Sequence, residues 1–359
     1  MICCTECFAD YEIKAIIESC NNKGKCPICG NENVWLYDSD KDVYTTAFEE
    51  LLTEIIEIYV PESKLDDSFP EEAKKSLESH LCEDWNIFNV GEIGVKQIVE
   101  SVIEDSIDLD GQLLKQKVGI PQLFDDSYLL ENSILRIYEW EDFTKYLRNE
   151  NRFHVHHINH EALAEVLKVT ERTIPKGTEF YRARVASDKK GFKRKEMGAP
   201  PSDKASAGRA NSKGISCLYL ASKKSTTVKE IRANAFDYVT IATFKLNKDV
   251  KILDLSAIAH NSPFYGNTNK LKFLINERHL KKIDRDLAKP VSNRDSDLDY
   301  LPTQYISDYA KFLGYDGIRY LSTFDRSAYN LALFDVNVCK CTSHKTYEIG
   351  DLNYSLKSL

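Results

Sequence analysis

Nowhere in these 359 residues does an apolar run approach the roughly 20 that a membrane-spanning helix needs. The first residues, MICCTECFADYE, have neither a basic segment nor an apolar core, so they do not read as a secretory signal. The expectation is a cytoplasmic protein with no membrane partner. There is no internal repeat and no low-complexity tail. Net positive charge is also missing: 48 Lys and Arg face 56 Asp and Glu, a formal charge of −8. That balance argues against a general nucleic-acid binder. Cysteine is sparse beyond residue 29, where only Cys82, Cys217, Cys339 and Cys341 occur. A secreted disulfide scaffold would spread its cysteines through a small domain. What is present, 42% apolar and 29% charged residues, is the composition of a folded chain, and the length suggests two or three domains.

The other six cysteines, Cys3, Cys4, Cys7, Cys20, Cys26 and Cys29, crowd into the first 29 residues. Two Cys-x-x-Cys pairs, Cys4/Cys7 and Cys26/Cys29, are separated by 18 residues. Four thiolates supplied by two tight turns suit tetrahedral zinc and leave no position open for water, so such a site is structural. Cys3 is an alternative to Cys4, and Cys20 reads as a spare thiol. Residues 1–35 are therefore expected to form a zinc-binding ribbon or knuckle.

Residues 36–170 read as a helical domain in which Gly and Pro are sparse. Phe48, Leu51, Leu52, Ile55, Ile56 and Tyr59 recur at helical spacing in 42–60, with acids opposite. Further helices are expected from Pro70 toward Trp85, over Glu92–Asp105, over Leu129–Arg152, and after Asn159 as a cap. The region is acidic: Leu36–Asp105 holds 19 Asp and Glu against 5 Lys and Arg. Within it, Arg152 and His157 have the loose Arg-x4–6-His spacing of HEPN-type ribonucleases. The plainer reading is a polar junction at a helix end.

From Thr178 the period changes from 3.6 to 2. TEFYRARV, ISCLYLA, YVTIATFKL, VKILDL, DGIRYLS and YNLALFDV are short runs rich in β-branched and aromatic residues. Helices are expected at STTVKEIRAN, around Lys270–Asp286 and at 302–315. The fold class is α+β, with the second part spanning 171–359. This part opens with a basic stretch: Arg182–Arg232 holds 14 Lys and Arg and 4 Asp and Glu. Arginines there suit a phosphate-bearing ligand, whereas Lys189–Lys195 fit a solvated loop equally well.

The pieces FYRAR, MGAPPSDKASAGRANSKGISCLYLA, TTVKEIR, DYLPTQYISDYAKFLGYDGIRYLS and NLALF, in that order, resemble the RES family over about Thr178–Asp335. The front more weakly resembles the zinc-bearing and HEPN-associated regions of longer relatives. The resemblance implies an ADP-ribosyltransferase-like split mixed β-sheet with a cleft for NAD⁺. It implies degradation of NAD⁺ at the nicotinamide–ribose bond by phosphorolysis or hydrolysis, with inorganic phosphate as a possible co-substrate. It also implies a toxin held by an antitoxin or regulatory protein. Carried over by motif, the catalytic set is Arg182, Tyr219, Glu230 and Ser322. Arg209, after Gly208, with Tyr181, Arg184 and Asn211, would bind the dinucleotide, and Lys213 is a further candidate. Transfer of ADP-ribose to a protein or nucleic acid is the alternative on the same fold, and ribonuclease activity of the helical region is another.

The chemistry agrees with these residue types. Loss of nicotinamide passes through a sugar cation, as glycoside cleavage does, and the leaving group departs neutral. The site must hold a diphosphate, fix a ribose and stabilise positive charge. Arg182 and Arg209 suit the first task and Glu230 the last. Tyr219 offers a stacking face, and Ser322 can bond a ribose hydroxyl or the carboxamide. Taken singly, each residue also has an ordinary structural reading; it is their order that points to a site.

Overall fold

The computed structural model describes residues 1–41, 45–106, 112–256, 262–264, 269–289, 297–322 and 324–350. The chain divides into two compact units, Met1–Ile137 with Asn261–Arg278, and Tyr138–His260 with His279–Leu359. Among the described residues no helix is long and apolar enough to cross a membrane.

The first unit opens with a three-stranded antiparallel sheet, β1 (Ile2–Cys4), β2 (Asn22–Gly24) and β3 (Val34–Asp38), in the order β1-β3-β2. Helix α1 (Tyr11–Ser19) joins the first two strands. Its N-terminus is capped by the Asp10 carboxylate, which accepts from the Glu12 and Ile13 amides at 2.9 and 3.1 Å. Then follow α2 (Thr45–Ile56), β4 (Val60–Pro61), α3 (Leu77–Asp84), α4 (Glu92–Ser106), β5 (Val118–Gly119) and α5 (Asp126–Asn132). The apolar faces read from the sequence meet in one core, with Phe48, Leu52, Ile55, Ile56, Leu77, Leu81 and Trp85 all buried. Trp85 keeps its indole N–H satisfied by the Tyr59 hydroxyl at 2.9 Å, and that hydroxyl donates to Asp84 at 2.9 Å.

Two expected helices are shorter than their sequence signals. Pro70 starts only a 3₁₀ turn, Glu71–Ala73. Lys75 then pairs its backbone with Val118, and Ser76 caps a new helix by accepting from the Ser79 amide. The expected helix over 129–152 is broken in two. Arg136 takes φ 55°, a conformation that ends a right-handed helix, and Glu139 restarts the chain with its amide on Asp142 at 3.2 Å. The helix expected over 42–60 runs over Thr45–Ile56, with 42–44 outside the described residues.

The second unit contains α6 (Trp140–Asn149), α7 (His160–Val169), β6 (Glu171–Ile174), β7 (Glu179–Ala186), β8 (Leu218–Ala221), α8 (Lys224–Glu230), β9 (Tyr238–Leu246) and β10 (Val250–Asp254). It continues with α9 (Lys270–Ala288), whose residues through Arg278 belong to the first unit, and then α10 (Leu301–Phe312), β11 (Gly317–Ser322), β12 (Asp325–Leu333) and β13 (Cys339–Glu348). Asn159 caps α7 as expected, accepting from the Glu161 and Ala162 amides. Gly314, at φ 87°, follows the end of α10.

Among the described residues the eight strands of this unit form one mixed sheet, in the order β13-β9-β7-β8-β12-β11-β10-β6. Among the described residues only β10 and β11 pair in parallel. The six strands read from the sequence are all present. The short edge strand β6 and the other edge, β13, were not anticipated: β13, CKCTSHKTYE, is mostly polar and solvent-facing and lacks the apolar signal of a buried strand.

Candidate active site

The site grows from a local failure of strand pairing. β7 pairs with β9 along its whole length, Glu179 to Ala186. On its other side it pairs with β8 at a single position, Tyr181 with Ala221. Beyond that point the two strands part, and a cleft of about 260 Å³ opens between them. Tyr181, Arg182, Tyr219, Thr227, Glu230, Tyr320 and Asn330 are among the residues that line it.

Arg182 leans into the gap. Its Nη1 reaches the Tyr219 carbonyl at 3.5 Å, the far limit of a hydrogen bond. Its Nε is buried and has no acceptor among the described residues. Burial, with Arg184 two residues along, holds the guanidinium below its ordinary pKa. A desolvated, under-bonded guanidinium is unfavourable in the free protein and favourable beside an anion.

Tyr219 forms a wall whose hydroxyl is fully engaged. It donates to Asn211 Oδ1 at 2.6 Å and accepts from the Ala210 amide at 2.9 Å. Burial pushes the phenol well above its ordinary pKa. The loop carrying these partners is itself pinned: the Asn211 amide donates to the carbonyls of Ser206, Ser212 and Ile215. Gln304 of α10 donates to the carbonyls of Gly208 and Asn211 at 2.8 and 2.9 Å. A Cβ at Gly208 would lie 2.6 Å from the Tyr219 hydroxyl and 2.7 Å from Asn211 Oδ1, which explains the glycine before Arg209.

Glu230, the last residue of α8, meets Ser322 across 92 positions of sequence. Ser322 Oγ donates to Glu230 Oε1 at 2.8 Å, and Asn330 Nδ2 donates to the same oxygen at 2.8 Å. Ser322 stands at a register shift between β11 and β12, the kind of bulge that re-aims a side chain. Tyr320, two residues before Ser322 on β11, is buried and lines the cleft, and burial pushes its phenol far up in pKa.

Arg182, Tyr181, Tyr219 and Glu230 thus line one cleft, with Ser322 bonded to Glu230. Four other candidates do not line it. Arg209 gives Nη1 to the Leu287 carbonyl at 2.8 Å and Nη2 to the Lys289 carbonyl, so it clasps the C-terminal end of α9. Arg184 donates to the Glu196 carbonyl and stacks on Phe192 at 4.0 Å. Asn211 is buried and its amide is saturated within the loop. Lys213 lies in a separate groove with Gln304 and Tyr305. Lys189, Lys190, Lys193 and Lys195 are exposed, as the solvated-loop reading expects. Sequence reasoning missed Asn330 and Tyr320. A signal existed for each: an amide inside the apolar run YNLALF, and a residue two before Ser322 on the same strand.

In the first unit, Cys4, Cys7, Cys26 and Cys29 converge, their sulfurs all within 4.8 Å of one another. Cys4–Cys7, Cys4–Cys29 and Cys7–Cys26 are 3.7, 3.4 and 3.6 Å apart. A tetrahedron with metal–sulfur bonds near 2.3 Å has edges of about 3.8 Å, so this donor set fits a thiolate-bound metal. Arg152 gives its Nε to the Leu147 carbonyl at 3.3 Å. His157 is buried against Tyr138, Tyr146 and His156.

Residues 179–356 match the family described as RES domain. Among solved structures, the chain is similar to one from the MbcT-MbcA toxin-antitoxin complex of M. tuberculosis. The identity is 14%, the TM-score 0.35, and the match covers 52% of this chain and 92% of that one. No curated protein matches.

Proposed function

This chain carries a RES domain, and from that premise we propose that it is a toxin-like enzyme that cleaves NAD⁺ at the nicotinamide–ribose bond. The observation that carries the reading is one cleft lined by an under-bonded, desolvated guanidinium and by a carboxylate. These are the groups that a diphosphate and a developing sugar cation require. On this reading 171–359 is the NAD⁺-degrading domain of ADP-ribosyltransferase-like fold, 36–170 a helical domain, and 1–35 a zinc-binding ribbon. The zinc would be held by Cys4, Cys7, Cys26 and Cys29 and would supply a structural cross-link only, because four thiolates fill its coordination.

In the proposed reaction Arg182 binds the diphosphate. The bond from nicotinamide nitrogen to ribose C1″ breaks, and its electron pair neutralises the pyridinium, so nicotinamide leaves without a proton donor. Glu230 stabilises the positive charge on the sugar, directly or by accepting from a ribose hydroxyl. Oxygen of phosphate or of water then bonds to C1″; with water, one proton is released to solvent. The Tyr219 ring packs against the base or sugar, while its hydroxyl holds the loop. Tyr181 completes the wall beside Lys224, whose Nζ lies 5.3 Å from the ring centroid. The expected role of Arg209 on the diphosphate requires it to release the carbonyls of Leu287 and Lys289. An antitoxin or other regulatory protein is the partner this activity calls for.

The test is incubation with NAD⁺, with and without phosphate, followed by product mass spectrometry. ADP-ribose 1″-phosphate appearing with phosphate assigns phosphorolysis, and ADP-ribose alone assigns hydrolysis. Label retained on a macromolecule would replace this reading by ADP-ribosyl transfer.

A further inference from the structure

Both hydrogen bonds that Glu230 receives end on one oxygen. Ser322 Oγ and Asn330 Nδ2 each lie 2.8 Å from Oε1, and among the described residues no hydrogen bond reaches Oε2. We propose that Asn330 is a positioning residue: with Ser322 it clamps Oε1 and so turns Oε2 toward the ribose of the substrate. The proposal rests on the reading of Glu230 as the catalytic carboxylate.

The placement of Asn330 supports this. It lies within β12, opposite Ala221 of β8 and Tyr320 of β11, and is only 6% exposed. A buried amide inside a sheet is unfavourable unless it is bonded, and the bond it makes is to Glu230. The second arm of the clamp has a fixed direction. The Phe324 amide donates to Ser322 Oγ at 3.2 Å, which leaves the serine proton to point at Glu230. Both donors therefore come from strands of the sheet, β11 and β12. Glu230 itself ends a helix of seven residues, with three rotatable bonds between its backbone and its carboxylate. Anchoring one oxygen on the sheet fixes where the other can be, and preorganisation of that kind acts on the transition state more than on binding.

The experiment uses the full chain and compares wild type, Asn330→Leu, Glu230→Ala and the double variant in nicotinamide release. Asn330→Leu is expected to lower kcat roughly 10- to 100-fold, the loss of one hydrogen bond to a charged group, with KM within about threefold. In the Glu230→Ala background the same change is expected to leave the residual rate unaltered. Unchanged kcat in a folded Asn330→Leu protein overturns the proposal. So does a loss of kcat carried undiminished into the Glu230→Ala background, because the amide would then act without Glu230. If Asn330→Leu does not fold, Asn330→Ala, neutral and without a donor, is expected to give the same split, and wild-type kcat in it overturns the clamp. A wild-type chain that leaves NAD⁺ intact overturns the functional reading instead. The clamp is then read from thermal unfolding, where the Asn330→Leu and Glu230→Ala shifts must be non-additive and simple additivity overturns it.

Discussion

Replacing Arg182 by methionine is expected to stabilise the ligand-free protein while destroying its interaction with NAD⁺. The wild-type guanidinium has a buried Nε without an acceptor among the described residues and one hydrogen bond stretched to 3.5 Å. A buried unsatisfied donor costs about 1–3 kcal/mol, and exchanging buried charge for an apolar side chain of similar volume stabilises by about 1–4 kcal/mol. The Arg182 tip reaches the cleft and keeps some solvation, so the lower half of that range, about 1–2 kcal/mol, is the expected gain. In a unit of this size that raises Tm by roughly 2–8 °C. NAD⁺ at 100 times its Kd should stabilise the wild type by about 2.7 kcal/mol and should leave Arg182→Met unmoved. Thermal unfolding of both proteins, with and without NAD⁺, reads the effect: the order of the two Tm values should reverse when NAD⁺ is added to a slowly hydrolysing Glu230→Gln background. A less stable ligand-free Arg182→Met protein, or equal stabilisation of both by NAD⁺, refutes the reasoning.

Removing the Tyr219 hydroxyl leaves the Ala210 amide and Asn211 Oδ1 without their partner. Tyr219→Phe should therefore lose about 1–3 kcal/mol of stability by thermal or urea unfolding, while kcat below the transition stays within a few-fold of wild type. Purified protein should contain zinc by elemental analysis, and Cys7→Ser or chelation should unfold the Met1–Asp38 sheet in hydrogen exchange. The loss draws on the roughly 10–16 kcal/mol with which structural zinc binds. Burial and neighbouring His156 hold the His157 pKa below its ordinary 6.5. As pH falls below about 6.5 the unfolded chain takes up a proton that the folded chain refuses, so this stability is complete above that pH and is lost on acidification. Tm measured from pH 7.5 to 5.5 should fall less in His157→Gln than in wild type.

The sequence was most legible where structure is local. Two Cys-x-x-Cys turns are short-range features, and their four sulfurs do converge. Alternation marked six of the eight strands of the large sheet, because each has at least one buried face. It missed β13, whose residues mostly face solvent and whose pairing with β9 alone defines it. The breaks at Lys75 and Arg136 were invisible for a related reason: a backbone bridge to Val118 and a left-handed residue override an apolar period that continues through them. Among the site residues, motif order brought Arg182, Tyr219, Glu230 and Ser322 to one place. Arg209, carried over by the same order, lies outside that cleft. Its acceptors lie 78 and 80 positions away at the end of α9, in a stretch with no motif of its own. Asn330 was overlooked for the opposite reason, since it sits inside a run that reads as plain apolar strand.

The most direct test of the central claim is nicotinamide release from NAD⁺ by wild type and by Glu230→Gln, followed by chromatography. The account predicts nicotinamide in amounts equal to the NAD⁺ consumed, and a rate reduced more than about 100-fold in Glu230→Gln, in line with removal of a charge that stabilises the transition state. NAD⁺ left intact by the wild type, or turned over equally fast by Glu230→Gln, would contradict it.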